Sequence, residues 1–261
     1  MGILNVTPDS FSDGSRYSTV PAAIERAAQM VDEGASIIDV GGESTRPGAA
    51  AVDEALEIDR VVPVIEGIKK GSGIAISIDS SKPKVMAAAV AAGACIVNDV
   101  HALRAEGARH WAASAEVGVC LMHMQGEPRT MQVSPHYDDI VAEVAAFLTR
   151  ERDACIAAGV ARDAIALDPG IGFGKLAEHN LTLLRELSRF STLGAPLLVG
   201  LSRKSFIGRI LGRSVHERLY GGLGLAALAV ARGARIVRTH DVAPTRDAIC
   251  MVSAVLQGMA N

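Results

Sequence analysis

Eight short apolar runs recur along this chain, each four to six residues long, and each is followed by enough sequence for a helix. The runs are continuously apolar rather than alternating. That pattern suits strands covered on both faces, as in a parallel sheet flanked by helices. Strands are expected at 2–6, 36–40, 74–79, 95–99, 119–123, 165–168, 196–201 and 235–240. Helices are expected at about 21–33, 53–69, 83–92, 138–158, 178–190 and 243–256. A weakly patterned helix follows the fourth strand, and a short helix precedes an Ala-rich one that runs to Arg232. Gly34, Gly93, Gly159 and Gly233 stand between a helix and the next strand, where glycine closes a helix before a tight turn. Eight strand–helix units without a linker predict one α/β domain over 1–261, a single (β/α)8 barrel. A doubly wound open sheet is the alternative.

A chain of 261 residues that is 49% hydrophobic can bury the core such a barrel needs. A formal net charge of −3 points to neither a nucleic-acid nor a membrane partner. No apolar run reaches the roughly 18 residues of a spanning helix. No basic stretch precedes an apolar core at the N-terminus, so no export signal is expected, and a cytoplasmic setting fits. The four cysteines include no CxxC pair, and Cys95 and Cys120 fall in strands as buried thiols. The seven histidines form no HxxxH pair, which argues against zinc.

In a barrel of this type the C-terminal strand ends share one face, where catalysis sits. Polar residues concentrate there: Asn5 after strand one, Glu43, Thr45 and Arg46 after strand two, and Asp79 on strand three. Asn98 and Asp99 end strand four, His123 strand five and Asp168 strand six. Ser202, Arg203 and Lys204 follow strand seven, and Arg238 and His240 end strand eight. One polar terminus is an ordinary strand cap; eight converging on one mouth predict a site.

The charges also sort. Asp79, Asn98 and Asp168 offer acceptors and an amide in the middle strands, suited to a ring with an amidine or guanidine edge whose paired N–H groups match a carboxylate. Arg46, Lys204, Arg238 and His240 surround the loops after strands two, seven and eight, the last two being the usual phosphate end of this fold. Arg238 and His240, one residue apart on a strand, are expected on one face as an anion-binding pair. The turn after strand six, from Pro169 to Lys175, carries three glycines, Phe173 and Lys175, which suits a flat nitrogen-rich heterocycle and equally a capped strand end. It is not a phosphate-binding P-loop, because only three residues intervene before Gly174-Lys175 and Leu176 follows. Loop one supplies the hard oxygens of Asn5, Asp9 and Asp13, which suit Mg²⁺ shared with substrate phosphates but also a hydroxyl-rich loop of Asx turns. A strand-end histidine such as His123 more often serves structure than catalysis.

Taken together, the segments resemble the dihydropteroate synthases, pterin-binding barrels of folate biosynthesis. The matching stretches are ILNVTPDSFSDG at 3–14, DVGGESTRPGA at 39–49, IDSSKP at 78–83 and NDV at 98–100. LMHMQG at 121–126, DPGIGFGK at 168–175, LVGLSRKS at 198–205 and RTHDV at 238–242 continue the match in order. The resemblance implies a homodimeric transferase that joins 6-hydroxymethyl-7,8-dihydropterin pyrophosphate to 4-aminobenzoate with the help of Mg²⁺, giving 7,8-dihydropteroate and pyrophosphate. Sulfonamides would compete for the 4-aminobenzoate site. By the same resemblance Asp79, Asn98, Met122, Asp168, Phe173 and Lys204 hold the pterin. Thr45, Arg46, Phe173, Ser202 and Lys204 border the 4-aminobenzoate, and Asn5, Arg46, Arg238 and His240 take the pyrophosphate. Asn5, Asp9 and Asp13 organise the metal, and Asp79, Asp168, Lys204, Arg238 and His240 form the catalytic set.

The expected mechanism is dissociative substitution at the pterin methylene, with no protein nucleophile; no G-x-S-x-G elbow surrounds Ser202. The departures from the family pattern are small. Tyr220-Gly221-Gly222 lacks a hydroxyl that would cap a helix, and Ser80 stands where threonine is common. Two rivals remain. A methyltetrahydrofolate-type methyltransferase domain would share the middle-strand acids but not need the anion set; a catalytically silent pterin-binding paralogue would differ only in turnover.

Overall fold

The computed structural model describes residues 1–7, 19–44, 52–127 and 130–258. Asp9, Asp13, Thr45 and Arg46 lie outside the described residues. Among those described, eight parallel strands alternate with helices. The strands are β1 (Gly2–Asn5), β2 (Ile37–Gly41), β3 (Ala75–Asp79), β4 (Ile96–Asp99), β5 (Gly118–Met122), β6 (Ile165–Asp168), β7 (Leu197–Gly200) and β8 (Ala234–Arg238). They pair in chain order, each with the next. β8 returns to β1 through Thr239: Ile3 N–H donates to its carbonyl at 2.9 Å, and its own N–H donates to the Met1 carbonyl at 3.0 Å. The sheet therefore closes on itself as a (β/α)8 barrel, and the open-sheet alternative falls away.

The helices are α1 (Val20–Asp32), α2 (Glu54–Gly71), α3 (Pro83–Ala92), α4 (Ala108–Ser114), α5 (Ile140–Ala157), α6 (Ala177–Arg185), α7 (Ser205–Leu211), α8 (Leu219–Ala231) and α9 (Val242–Gln257). Local chemistry sets their limits. The Asp53 carboxylate accepts from Ala55 N–H at 2.9 Å to start α2, which carries Glu54 and Glu57 in its first turn and Lys69 and Lys70 in its last. Those charges complement the helix dipole. Val61, Val64, Ile65 and Ile68 form the buried stripe of α2, at the spacing of one helix face. Asp139 caps α5 by accepting from Val141 and Ala142. Gly34, Gly93, Gly159 and Gly233 all take positive φ at the helix-to-strand turns. One continuous core joins these helix faces to the outward side chains of the barrel, from Ile38, Val40 and Ile78 round to Leu167, Val199 and Val237. No helix among the described residues is long and apolar enough to cross a membrane.

Three local expectations are corrected. The helix expected to reach Phe190 ends at Arg185, and a 3-10 segment, Leu187–Leu193, takes over after Glu186 leaves helical geometry. Regular strand eight stops at Arg238; Thr239 adds one bridge to β1, and its hydroxyl receives the Asp241 N–H at 3.1 Å, turning the chain into α9. Cys95 precedes β4 and is exposed, whereas Cys120 lies buried in β5.

Candidate functional site

Register brings the first group of polar side chains together. Gly41 pairs with Asp79, Asp79 with Asn98, and Gly200 with Arg238, so these strand ends stand on one rim of the barrel. Arg238 reaches across it. Its Nε donates to Asp39 Oδ2 at 2.5 Å and its Nη2 to Asp79 Oδ2 at 2.6 Å. Asn98 Nδ2 donates to the same Asp39 oxygen at 3.1 Å. Two carboxylates thus share one guanidinium. Burial raises the Asp79 carboxyl to about 7; Arg238 pulls it down, while Asp39, Asp99 and Glu57 push it up. Burial works against the charge of Arg238, but Asp39 and Asp79 more than offset it and hold the guanidinium protonated.

The second group surrounds Asp168. Pro169 cannot extend the ladder, and Asp168 Oδ1 instead accepts from Gly170 N–H at 2.7 Å. Gly170 takes φ +68°, and a Cβ there would stand 1.9 Å from the His123 carbonyl oxygen, so only glycine lets this turn lie against the end of β5. Lys175 is buried beneath the turn. Its ammonium reaches His123 Nδ1 at 2.9 Å, the Phe173 carbonyl at 2.9 Å and the His123 carbonyl at 3.3 Å. Burial lowers Lys175 to about 7, against the pull of Asp168, and lowers His123 to about 2, with Lys175 adding to the effect. A neutral imidazole whose Nδ1 accepts from Lys175 is a structural partner, as the strand-end histidine suggested. Gln132 Nε2 and Tyr137 Oη, each at 2.8 Å, donate to the Gly172 and Gly174 carbonyls and fasten the same turn.

This fastening fixes Phe173. Its ring faces the Lys204 ammonium, 4.1 Å from ring centre to Nζ, a cation–π contact. Behind it Val100, Met122, Met124 and Met131 form a small apolar cluster that Phe173 packs against. Lys204 is lowered to about 8, by burial first, with Asp168 opposing the change. Asp168 is raised by burial, with the Gly170 N–H and Lys204 working the other way.

The third group joins loops seven and eight. Ser202 Oγ accepts from His240 N–H at 3.2 Å, lies 3.1 Å from His240 Nδ1 and donates to Asp241 Oδ2 at 3.4 Å. Arg203, at φ +59°, grips Asp241 through Nη2 at 2.7 Å and Nε at 3.3 Å. Arg203 therefore locks the two loops while Lys204 turns inward. Arg238 ends β8 and meets the acids, and His240, two residues on, lies past the strand end beside Ser202.

Asn5 closes β1 opposite Gly41. A Cβ built on Gly41 would stand 3.5 Å from Asn5 Oδ1 and 3.8 Å from Asp79 Oδ2, so both oxygens lie close to this glycine. No group of three or more His, Cys, Asp or Glu that could hold a metal occurs among the described residues. An Mg²⁺ ion needs fewer protein ligands when substrate phosphates supply the rest; of this pair the Asn5 amide oxygen suits such an ion, while Asp79 Oδ2 is taken by Arg238. At the base of loop two, Lys82 donates to Glu57 at 2.6 Å, to the Val52 carbonyl at 2.8 Å and to Glu43.

Two participants, Asp39 and Asp241, were missing from the residues picked out in the sequence, and Lys175 was picked out for a different role. Asp39 is wholly buried, yet it organises Asn98 and Arg238. An aspartate inside the apolar Ile37-Ile38-Asp39-Val40 run was the available signal. Lys175 was visible in its turn as a ligand-facing candidate, and the structure gives it an internal role. Asp241 follows the strand-eight motif and clamps Ser202 and Arg203.

Comparison with known proteins agrees with this geometry. The family described as pterin binding enzyme matches residues 1–240. The dihydropteroate synthase of Escherichia coli K12 is 49% identical over 261 residues, covering 100% of this chain and 93% of that relative. The Haemophilus influenzae dihydropteroate synthase is 46% identical over 261 residues, covering 100% of this chain and 94% of that relative. Among solved structures, a Yersinia pestis dihydropteroate synthase in complex with a sulfonamide drug superposes with TM-score 0.95 at 46% identity, covering 99% of this chain and 94% of that one. A Xanthomonas albilineans dihydropteroate synthase in complex with 7,8-dihydropteroate gives TM-score 0.89 at 44% identity, covering 100% of this chain and 94% of that one.

Proposed function

The chain belongs to the pterin-binding enzymes and, among them, to the dihydropteroate synthases, and from that premise we propose how its residues carry the reaction. The substrates are 6-hydroxymethyl-7,8-dihydropterin pyrophosphate and 4-aminobenzoate; the products are 7,8-dihydropteroate and pyrophosphate. The observation that carries the assignment is the pairing of buried Asp79, Asn98 and Asp168 with a Phe173–Lys204 wall at one mouth. Paired N–H donors on a pterin edge match the Asp168 carboxylate, and its flat ring packs against Phe173 and Met122.

The carbon–oxygen bond between the pterin methylene and pyrophosphate breaks first, and the electron pair leaves with pyrophosphate. The positive charge left on the methylene is delocalised into the reduced ring, where the Asp79 carboxylate favours it. Arg238 and His240, with Arg46, counter the growing charge of the leaving group. The arylamine nitrogen then attacks the methylene, and its proton passes to the released pyrophosphate. Bound Mg²⁺, held by Asn5 with Asp9 and Asp13, would add positive charge to the pyrophosphate oxygens. Ser202 orients His240 and borders the 4-aminobenzoate with Thr45 and Lys204. Sulfonamides are expected to compete there.

A homodimer of cytoplasmic enzyme is part of the same reading. α8 and α9 present exposed Tyr220, Leu228, Met251, Val255 and Leu256, a suitable apolar surface for a second copy. The deciding experiment follows pyrophosphate release and dihydropteroate formation by purified protein, with and without 4-aminobenzoate. Equal amounts of both products, lost on chelation of the metal, are expected. Folded protein that binds pterin and never turns over would instead be a silent paralogue.

A further inference from the structure

Arg238 has two carboxylate partners of different character. Asp39 is completely buried, whereas Asp79 ends its strand and keeps 8% of its surface exposed, so only Asp79 can meet a ligand. Asp39 Oδ2 takes donors from two other strands, Asn98 on β4 and Arg238 on β8, and its buried Oδ1 has no hydrogen-bond partner among the described residues. A carboxylate tied across the barrel in this way is a fixed point. Asp79, by contrast, shares the one guanidinium with a second acid and can exchange a donor. Arg238 holds Asp39 through Nε and Asp79 through Nη2, so the second contact can break without the first.

We propose that Asp39 is a positioning residue that tethers Arg238 by its Nε, while an incoming pterin replaces Arg238 Nη2 on Asp79 and frees that edge of the guanidinium for pyrophosphate. The inference rests on Asp79 being a pterin-facing carboxylate. It makes the two halves of the substrate help each other: filling the pterin pocket builds the anion site. A ligand that displaces one donor shifts the guanidinium only if the other end stays anchored, and the anchor is the task of Asp39. The coupling is reciprocal, since each ligand must favour the same arrangement.

The test is a binding cycle by calorimetry on the full chain, using 6-hydroxymethylpterin and inorganic pyrophosphate, singly and together, with Mg²⁺ present. In the unaltered enzyme each probe should tighten the other by about tenfold, within the usual range of such couplings. Asp39→Asn should bring that factor close to one and lower kcat, with KM for 4-aminobenzoate unchanged. Arg238→Lys keeps the charge but cannot bridge both acids, and it should also abolish the coupling; it serves if Asp39→Asn does not fold. Pterin and pyrophosphate binding independently in the unaltered enzyme would overturn the proposal and leave the pterin site standing. Absence of any pterin binding would overturn both. A slower Asp39→Asn enzyme with full coupling would reduce Asp39 to a structural role and likewise overturn it.

Discussion

The two sides of the mouth are charged in opposite senses. Around Arg238, two carboxylates, Asp39 and Asp79, share one cation. Around Asp168, one carboxylate faces two cations, Lys175 and Lys204, both lowered by burial. Among the described residues the first side holds more acid than cation, so Asp79 can accept an N–H donor. The second carries an excess that lysines can shed as protons. Arginine cannot shed its proton, so it stands where the pair of acids is permanent; lysine stands where the charge is adjustable.

The largest effect is expected at Arg238. Arg238→Ala leaves Asp39 and Asp79 buried without their cation, and a loss of about 3–5 kcal/mol of stability is expected from denaturant unfolding. Turnover should fall by about 10²–10³-fold, as for loss of a group that stabilises developing charge. Unchanged pyrophosphate release would remove Arg238 from the leaving-group role. On the opposite side, Asp168→Asn keeps an acceptor for Gly170 but loses the charge, and pterin affinity should weaken by about 1.5–3 kcal/mol in a titration. Wild-type affinity would sink the pterin assignment.

Lys175→Met sharpens the contrast. Its partners are an imidazole nitrogen and two carbonyls, and the cost in stability should be about 1–3 kcal/mol, below that of Arg238→Ala. The mark of its role would be a raised KM as the Phe173 turn loosens; a stability loss with both KM values intact would confine Lys175 to the fold. The smallest effect concerns pH. Lys204 titrates at about 8, and its ammonium form is the one that faces Phe173. Pterin binding should therefore decline as pH rises through about 8, and Lys204→Arg should remove that alkaline limb from the profile.

Asp79, Asn98, Asp168 and Lys204 were legible because each follows an apolar strand in the chain, and strand ends in a barrel share one face. The glycine turn after β6 was legible for the same reason. Asp39 was hidden inside an apolar run, where a carboxylate is intelligible only once its partners from β4 and β8 are known. His240 follows the Thr239 bridge to β1, and its place beside Ser202 depends on how loops seven and eight meet. Cys95 looked buried because its apolar run begins one residue ahead of β4.

The sequence by itself determined the eight strand–helix units, their order and the end of the barrel where chemistry collects, since apolar runs, caps and turn residues are local signals. Only the tertiary structure decided which charges meet. Arg238 and Asp39 are 199 residues apart, and Lys175 and His123 are 52 apart. Closing the sheet fixes those distances, and burial then decides which groups keep their charge.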